Sequence, residues 1–95
     1  MIVVTGALGQ LGTAFHRLLG DTDVEYLDEA ELDFADLDAI PRVLGEINPS
    51  LVINCAAFTA VDAAEENESL ARIVNATAVG ELARASAQIG SRFVT

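Results

Sequence analysis

Met1-Ile2-Val3-Val4-Thr5-Gly6-Ala7-Leu8-Gly9-Gln10-Leu11-Gly12 sets three glycines three apart, directly behind a short apolar run and directly ahead of a helical pattern. Each glycine has its own physical job at such a strand-to-helix turn. Gly6 lets the chain leave the strand, Gly9 lets backbone approach a pyrophosphate, and Gly12 lets the new helix lie close to the strand. The helix that follows points unpaired N–H groups and the positive end of its dipole at the phosphates. An ordinary glycine-rich turn would show the same spacing, so the flanks decide. From Leu11 the apolar Leu11, Ala14, Phe15, Leu18 and Leu19 keep a helical period, and Gly20 stands where a C-terminal cap belongs. The stretch reads as a dinucleotide site.

Outward from it, Val24 to Leu27 reads as a second strand and Leu32-Asp33-Phe34 as a third, very short one. A helix starts near Asp38, whose side chain can cap it, tolerates Pro41 in its first turn and ends at Asn48-Pro49. Leu51-Val52-Ile53-Asn54-Cys55 is the nearly continuous apolar run of a strand buried on both faces of a parallel sheet. After a loop, Leu70, Ile73, Val74, Ala78, Leu82, Ala85 and Ile89 keep a helical period from about Asn67, Gly90 stops it, and Arg92-Phe93-Val94-Thr95 forms the fifth strand. This alternation predicts an α/β fold with a doubly wound parallel sheet, helices on both faces, strand order 3-2-1-4-5 and a ligand at the carboxyl ends of the strands. Residues 1–95 read as one unit without repeat or linker.

Composition narrows the partners. The formal charge is −10, lysine is absent, and Asp21, Asp23, Glu25, Asp28, Glu29, Glu31, Asp33, Asp36 and Asp38 follow one another without a basic residue. That disfavours nucleic acid and anionic membranes, whose recognition relies on clustered Lys and Arg. No apolar stretch approaches the roughly 20 residues that span a bilayer, and the first strand lacks the features of a secretory signal, so the expectation is a soluble cytoplasmic protein. A lone cysteine, Cys55, sits in an apolar run and reads as core. His16 lies on the polar side of the first helix without a second ligand nearby in sequence, so no metal site is expected.

Asp28 follows the second strand close to the spacing of roughly 20 residues at which an acid accepts hydrogen bonds from adenosine ribose hydroxyls. By charge alone it favours NAD over NADP, because a 2′-phosphate beside it would be repelled; it reads equally as a surface acid. Asp33-Phe34 is placed to meet adenine through the carboxylate and the following backbone. Asn54-Cys55-Ala56-Ala57 offers small side chains where the chain passes the middle of a cofactor, with Asn54 able to tie the loop to the sheet; tight helix packing would equally explain Ala56 and Ala57.

With these residues in view, Thr5-Gly6-Ala7-Leu8-Gly9-Gln10-Leu11-Gly12 resembles the fingerprint of extended short-chain dehydrogenases, and Gly9-Gln10-Leu11-Gly12 resembles the form found in dTDP-4-dehydrorhamnose reductases. Asn54-Cys55-Ala56-Ala57-Phe58-Thr59-Ala60-Val61-Asp62-Ala63-Ala64-Glu65 is similar to that family's Asn-Ala-Ala-Ala-x-Thr-x-Val-Asp-x-Ala-Glu, with Cys55 in place of alanine, and Val74-Asn75-Ala76-Thr77-Ala78-Val79 resembles its next helix. The likeness runs from Ile2 to Thr95. It implies a Rossmann-type cofactor domain and reduction of a nucleotide-linked 4-keto-6-deoxy sugar by a nicotinamide hydride. By motif match, Gly9, Gln10 and Leu11 would hold pyrophosphate, Asp33 and Phe34 adenine, and Ala56, Ala57 and Thr59 the central cofactor, while Asn75 would brace the nicotinamide end. The family commonly uses NADPH and in some members NADH, so the acidic segment leaves NADPH and NADH both open. Asp62 and Glu65 match the pattern too; the residues themselves read as a cap and first-turn acids of the next helix, or as substrate contacts.

Such a reductase also needs a tyrosine to protonate the carbonyl oxygen and a lysine four residues later. The only tyrosine is Tyr26, in the second strand, and without lysine no Tyr-x-x-x-Lys motif exists here. The expectation is therefore the front part of a longer enzyme, its sheet truncated after about the fifth strand, holding no catalytic residue and exposing a sheet edge and apolar surface. Its substrate would be a nucleotide-sugar taken by the full-length protein, and a homo-oligomer stays open. Two other readings are an NAD-dependent sugar-nucleotide epimerase or dehydratase, against which the Thr-Ala-Val-Asp-x-Ala-Glu stretch argues, and a non-catalytic dinucleotide-binding subunit.

Overall fold

In a computed structural model, which describes residues 1–55 and 65–95 and the side chains of 1–55 and 76–95, strands and helices alternate along the chain. They run β1 (Ile2–Thr5), α1 (Gln10–Leu19), β2 (Val24–Leu27), α2 (Ala39–Ile47), β3 (Leu51–Asn54), α3 (Glu65–Gln88) and β4 (Arg92–Val94). The four strands are all parallel, in the order β2-β1-β3-β4. Ile2 pairs with Val24 and with Leu51, and Thr5 with Leu27 and with Asn54.

Side-chain alternation along the strands builds two cores. Val3 and Val52 point to one face, where they meet Ile40 and Leu44 of α2 and Ala78, Leu82 and Ala85 of α3. Val4 and Ile53 point to the other, with Cys55, against Phe15 and Leu19 of α1. Val3, Val4 and Val52 are fully buried, as the central strands of a sheet covered on both sides must be. The doubly wound arrangement expected from the sequence is therefore present.

One expected element is not a strand. Leu32-Asp33-Phe34 lies in successive turns, so among the described residues the sheet has no strand outside β2, and the expected order reduces to that of the other four. The cause is local. Asp28 Oδ1 accepts from the Ala30 and Glu31 amides at 2.8 and 3.3 Å, and Asp33 Oδ1 accepts from the Ala35 amide at 2.9 Å. Aspartate side chains take amides that a ladder would have used. Leu32, buried, and Phe34, half-buried, still anchor the segment to the α2–α3 core.

The helix ends follow sequence logic with adjustments. Asn48 ends α2 in the left-handed region (φ 52°), its N–H donating to the Leu44 carbonyl. Asp38 occupies the position before α2, yet its side chain makes no capping bond. Helix α3, described from Glu65 on, takes in the expected start near Asn67. Along α1 only Phe15 and Leu19 pack on the sheet; Leu11, Ala14 and Leu18 are exposed, so the apolar stripe is wider than the surface it covers. No helix among the described residues is long and apolar enough to cross a membrane.

Candidate dinucleotide-binding site

The turn from β1 into α1 is shaped by two glycines. Gly6 has φ +68°, which a side chain would strain, and a Cβ on Gly12 would stand 2.4 Å from the Gly6 carbonyl oxygen and 2.8 Å from Ala7 Cα. Gly9 differs: its φ is −74°, and a Cβ there would meet the Gly6 carbonyl oxygen at an ordinary 3.5 Å. Among the described residues no contact demands glycine at Gly9.

Gly9 is also the residue before α1, and it brings no side-chain cap; the first turn, which opens with Gln10, Leu11 and Gly12, carries no acid. The helix therefore begins with its dipole uncompensated, the condition under which the leading amides attract an anion. The Gly9 N–H donates back to the Gly6 carbonyl at 3.2 Å, and the Ala7 N–H donates to the Leu27 carbonyl at 3.2 Å. That second bond ties the glycine loop to the carboxyl end of β2, so the loop and Asp28 adjoin.

Asp28 is partly exposed. Contact with the Glu31 carboxyl, and after it the Ala30 and Glu31 amides, holds the Asp28 carboxyl below its usual range. The Asp28 N–H in turn donates to Glu31 Oε2 at 2.6 Å. The loop after β2 is thus closed reciprocally, in the manner of a capping box without a helix, and presents an ionised acceptor. Asp33 is exposed with Oδ1 engaged by Ala35, and the Phe34 ring packs toward the core, which leaves backbone as the surface offered there.

On the other side of β1, Asn54 ends β3 opposite Thr5. Thr5 Oγ1 donates to Asn54 Oδ1 at 2.7 Å, and Asn54 Nδ2 donates to Thr95 Oγ1 at 3.2 Å. Asn54 ties strands together through Thr5 and Thr95, partners not singled out in the sequence, while the expected tie of the following loop to the sheet falls on residues outside those described. The missed signal was a polar residue at, or directly after, the last position of neighbouring strands. Cys55 is buried, and burial pushes its thiol up from its ordinary pKa. Ala56, Ala57, Thr59 and Asp62 lie outside the described residues. Asn75 lies within α3, its side chain outside them.

His16 Nε2 meets Asp21 Oδ1 at 2.6 Å while its ring stacks on Tyr26, 4.1 Å between centroids. The Tyr26 hydroxyl donates to the Gly20 carbonyl at 2.5 Å, joining the end of α1 to β2. Among the described residues no group of His, Cys, Asp and Glu could hold a metal. An open depression of about 320 Å³, lined by Leu8, Gly9, Gln10, Thr13, Ala14 and Arg17, lies along the outer flank of α1, and none of its lining comes from β2 or β3.

The family model described as the RmlD substrate binding domain matches residues 1–95. The chain is 42% identical over 94 residues to a dTDP-4-dehydrorhamnose reductase of Burkholderia thailandensis, covering 98% of this chain and 32% of that protein. It is 42% identical over 78 residues to a probable dTDP-4,6-dihydroxy-2-methyloxan-3-one 4-ketoreductase of Streptomyces antibioticus, covering 80% of this chain and 26% of that one. Its fold superposes with a TM-score of 0.84 and 35% identity on the crystal structure of the Bacillus anthracis dTDP-4-dehydrorhamnose reductase in complex with NADP, over 97% of this chain and 34% of that one. The chain thus spans about a third of the length of these proteins.

Proposed function

Because the chain belongs to the family of the RmlD substrate binding domain, we propose that it is the cofactor-holding front of a reductase that delivers hydride from NADPH or NADH to the 4-keto group of a dTDP-linked deoxysugar. The observation that carries this reading is the uncapped start of α1 behind the Gly6–Gly12 turn, at the point where β1 and β3 send their crossovers to opposite faces of the sheet. That is where an open α/β sheet leaves a crevice for a ligand.

In this reading Gly6 and Gly12 shape the turn, and Gly9, Gln10 and Leu11 offer amides to the pyrophosphate. Asp28 accepts from the adenosine ribose, while Asp33 and the backbone at Phe34 flank adenine. Ala56, Ala57 and Thr59 line the middle of the cofactor, and Asn75 braces the nicotinamide end. When bound, the dihydronicotinamide supplies the hydride. The residues of this chain bind and orient; we assign the proton to the Tyr-x-x-x-Lys pair expected of the family, since Tyr26 is engaged with Gly20 on the far side of α1. A dTDP-linked 4-ketosugar fits the names of both curated relatives, dTDP-rhamnose formation being the reading we favour, in the cytoplasm, where nucleotide-sugars and nicotinamide cofactors are held in common.

Titration of the chain with NADPH and NADH, followed by protein and cofactor fluorescence, tests the binding half. Saturable uptake of at least one is expected. A companion assay of the full-length protein with dTDP-4-keto-6-deoxymannose and each cofactor tests the reaction, and absence of turnover with both would refute it.

A further inference from the structure

The last residues of β1 and β3 and the residue just after β4 are joined side chain to side chain, Thr5 to Asn54 and Asn54 to Thr95. Thr5 and Asn54 are only 1% and 6% exposed, directly opposite in the β1–β3 register. One layer below them on the same face, Val3 and Val52 meet through apolar contact alone. Polar groups at the upper layer carry a desolvation cost that valines would avoid, so strand pairing by itself gives no reason for them. What distinguishes the layer is its place: it is the final one before the chain leaves β1 for the glycine loop and β3 for residues 56–64. The Cys55 N–H, donating to the Thr5 carbonyl at 2.9 Å, fixes the same exit through the backbone.

We propose that Thr5, Asn54 and Thr95 form a positioning ladder that sets the exits of β1, β3 and β4 for the nicotinamide-bearing half of the cofactor. The inference rests on the dinucleotide reading above. The adenine half is governed from the opposite side of β1, by the Ala7–Leu27 bond and the closed Asp28–Glu31 loop, while the Thr5–Asn54 and Asn54–Thr95 bonds run toward β3 and β4. The ladder should therefore matter for the whole dinucleotide and not for its adenine half.

The test is equilibrium titration of the chain, and of Thr5→Val, Thr5→Ser and Thr95→Val, with NADPH, with NADH and with ADP as the adenine half alone, each protein's melting transition being recorded alongside. Thr5→Val should weaken the preferred dinucleotide about tenfold, the effect of one lost buried hydrogen bond, and leave ADP unchanged. Thr5→Ser, which keeps the hydroxyl, should restore the parent affinity. Thr95→Val, at the exposed end of the ladder, should weaken the dinucleotide about threefold by the same reasoning and again spare ADP. If Thr5→Val shows no melting transition, Thr95→Val decides alone. Equal loss of ADP and dinucleotide, or no loss of either, would overturn the ladder while leaving the site intact. Failure of the unsubstituted chain to take up any of the three would end the dinucleotide reading and this inference with it.

Discussion

Gly12 has no room for a side chain, since the atoms a Cβ would strike are backbone atoms of Gly6 and Ala7 that cannot swing aside. Gly12→Ala should lower the unfolding free energy by about 1–3 kcal/mol, the usual cost of forcing an extra carbon into a packed site, as read from urea denaturation. Ser86 presents the opposite case. Its hydroxyl oxygen is buried without a hydrogen-bond partner among the described residues, so Ser86→Ala should raise stability by about 1 kcal/mol in the same measurement. Cys55 gives a pH signature. Burial keeps its thiol neutral in the folded chain, so the unfolded chain releases that proton first as pH rises. The stability linked to it is whole below the ordinary thiol value and is lost as pH climbs through the folded one. Urea midpoints taken from neutral to alkaline pH should fall more steeply for the parent than for Cys55→Ala.

At the scale of elements, α1 opens without a side-chain cap or an acid in its first turn. Gln10→Glu should add about 0.3–1 kcal/mol to stability through the helix dipole while weakening dinucleotide uptake, because the new carboxylate competes for the amides meant for phosphate. Thermal melting and cofactor titration of that one variant would show the two effects moving in opposite directions; stronger binding would contradict the assignment. Elements whose sequence cues were strong were legible before any coordinates. The apolar runs at Ile2–Thr5 and Leu51–Asn54, and the stops at Asn48 and Gly90, sit where periodicity and turn chemistry put them. Leu32-Asp33-Phe34 misled because three residues with apolar ends look alike whether pleated or coiled, and the deciding bonds came from Asp28 and Asp33 side chains. The turn of the glycine loop was equally readable, since Gly6 and Gly12 answer local steric demands. Thr5 and Thr95 were not, because their meaning depends on register across strands far apart in sequence.

For the whole molecule, covering is unequal: α2 and α3 share one face of the sheet, while α1 is the one described helix on the other. Leu8, Leu11 and Leu18 are 79%, 55% and 78% exposed. The 95-residue chain should therefore self-associate in sedimentation velocity as its concentration rises, and a Leu11→Gln, Leu18→Gln pair should shift it toward monomer. A sharply melting monomer at every concentration would refute this. The placement of β1 between β2 and β3 carries a further consequence for the growing polypeptide. Of the four described strands the earliest made is an inner one, and its second neighbour, anchored by the Ser50 N–H on the Met1 carbonyl at 2.8 Å, is not made until α1, β2 and α2 have been translated. Until then that newborn strand has one flank bare, and its companion in the nascent state must be a chaperone, the ribosome surface or water.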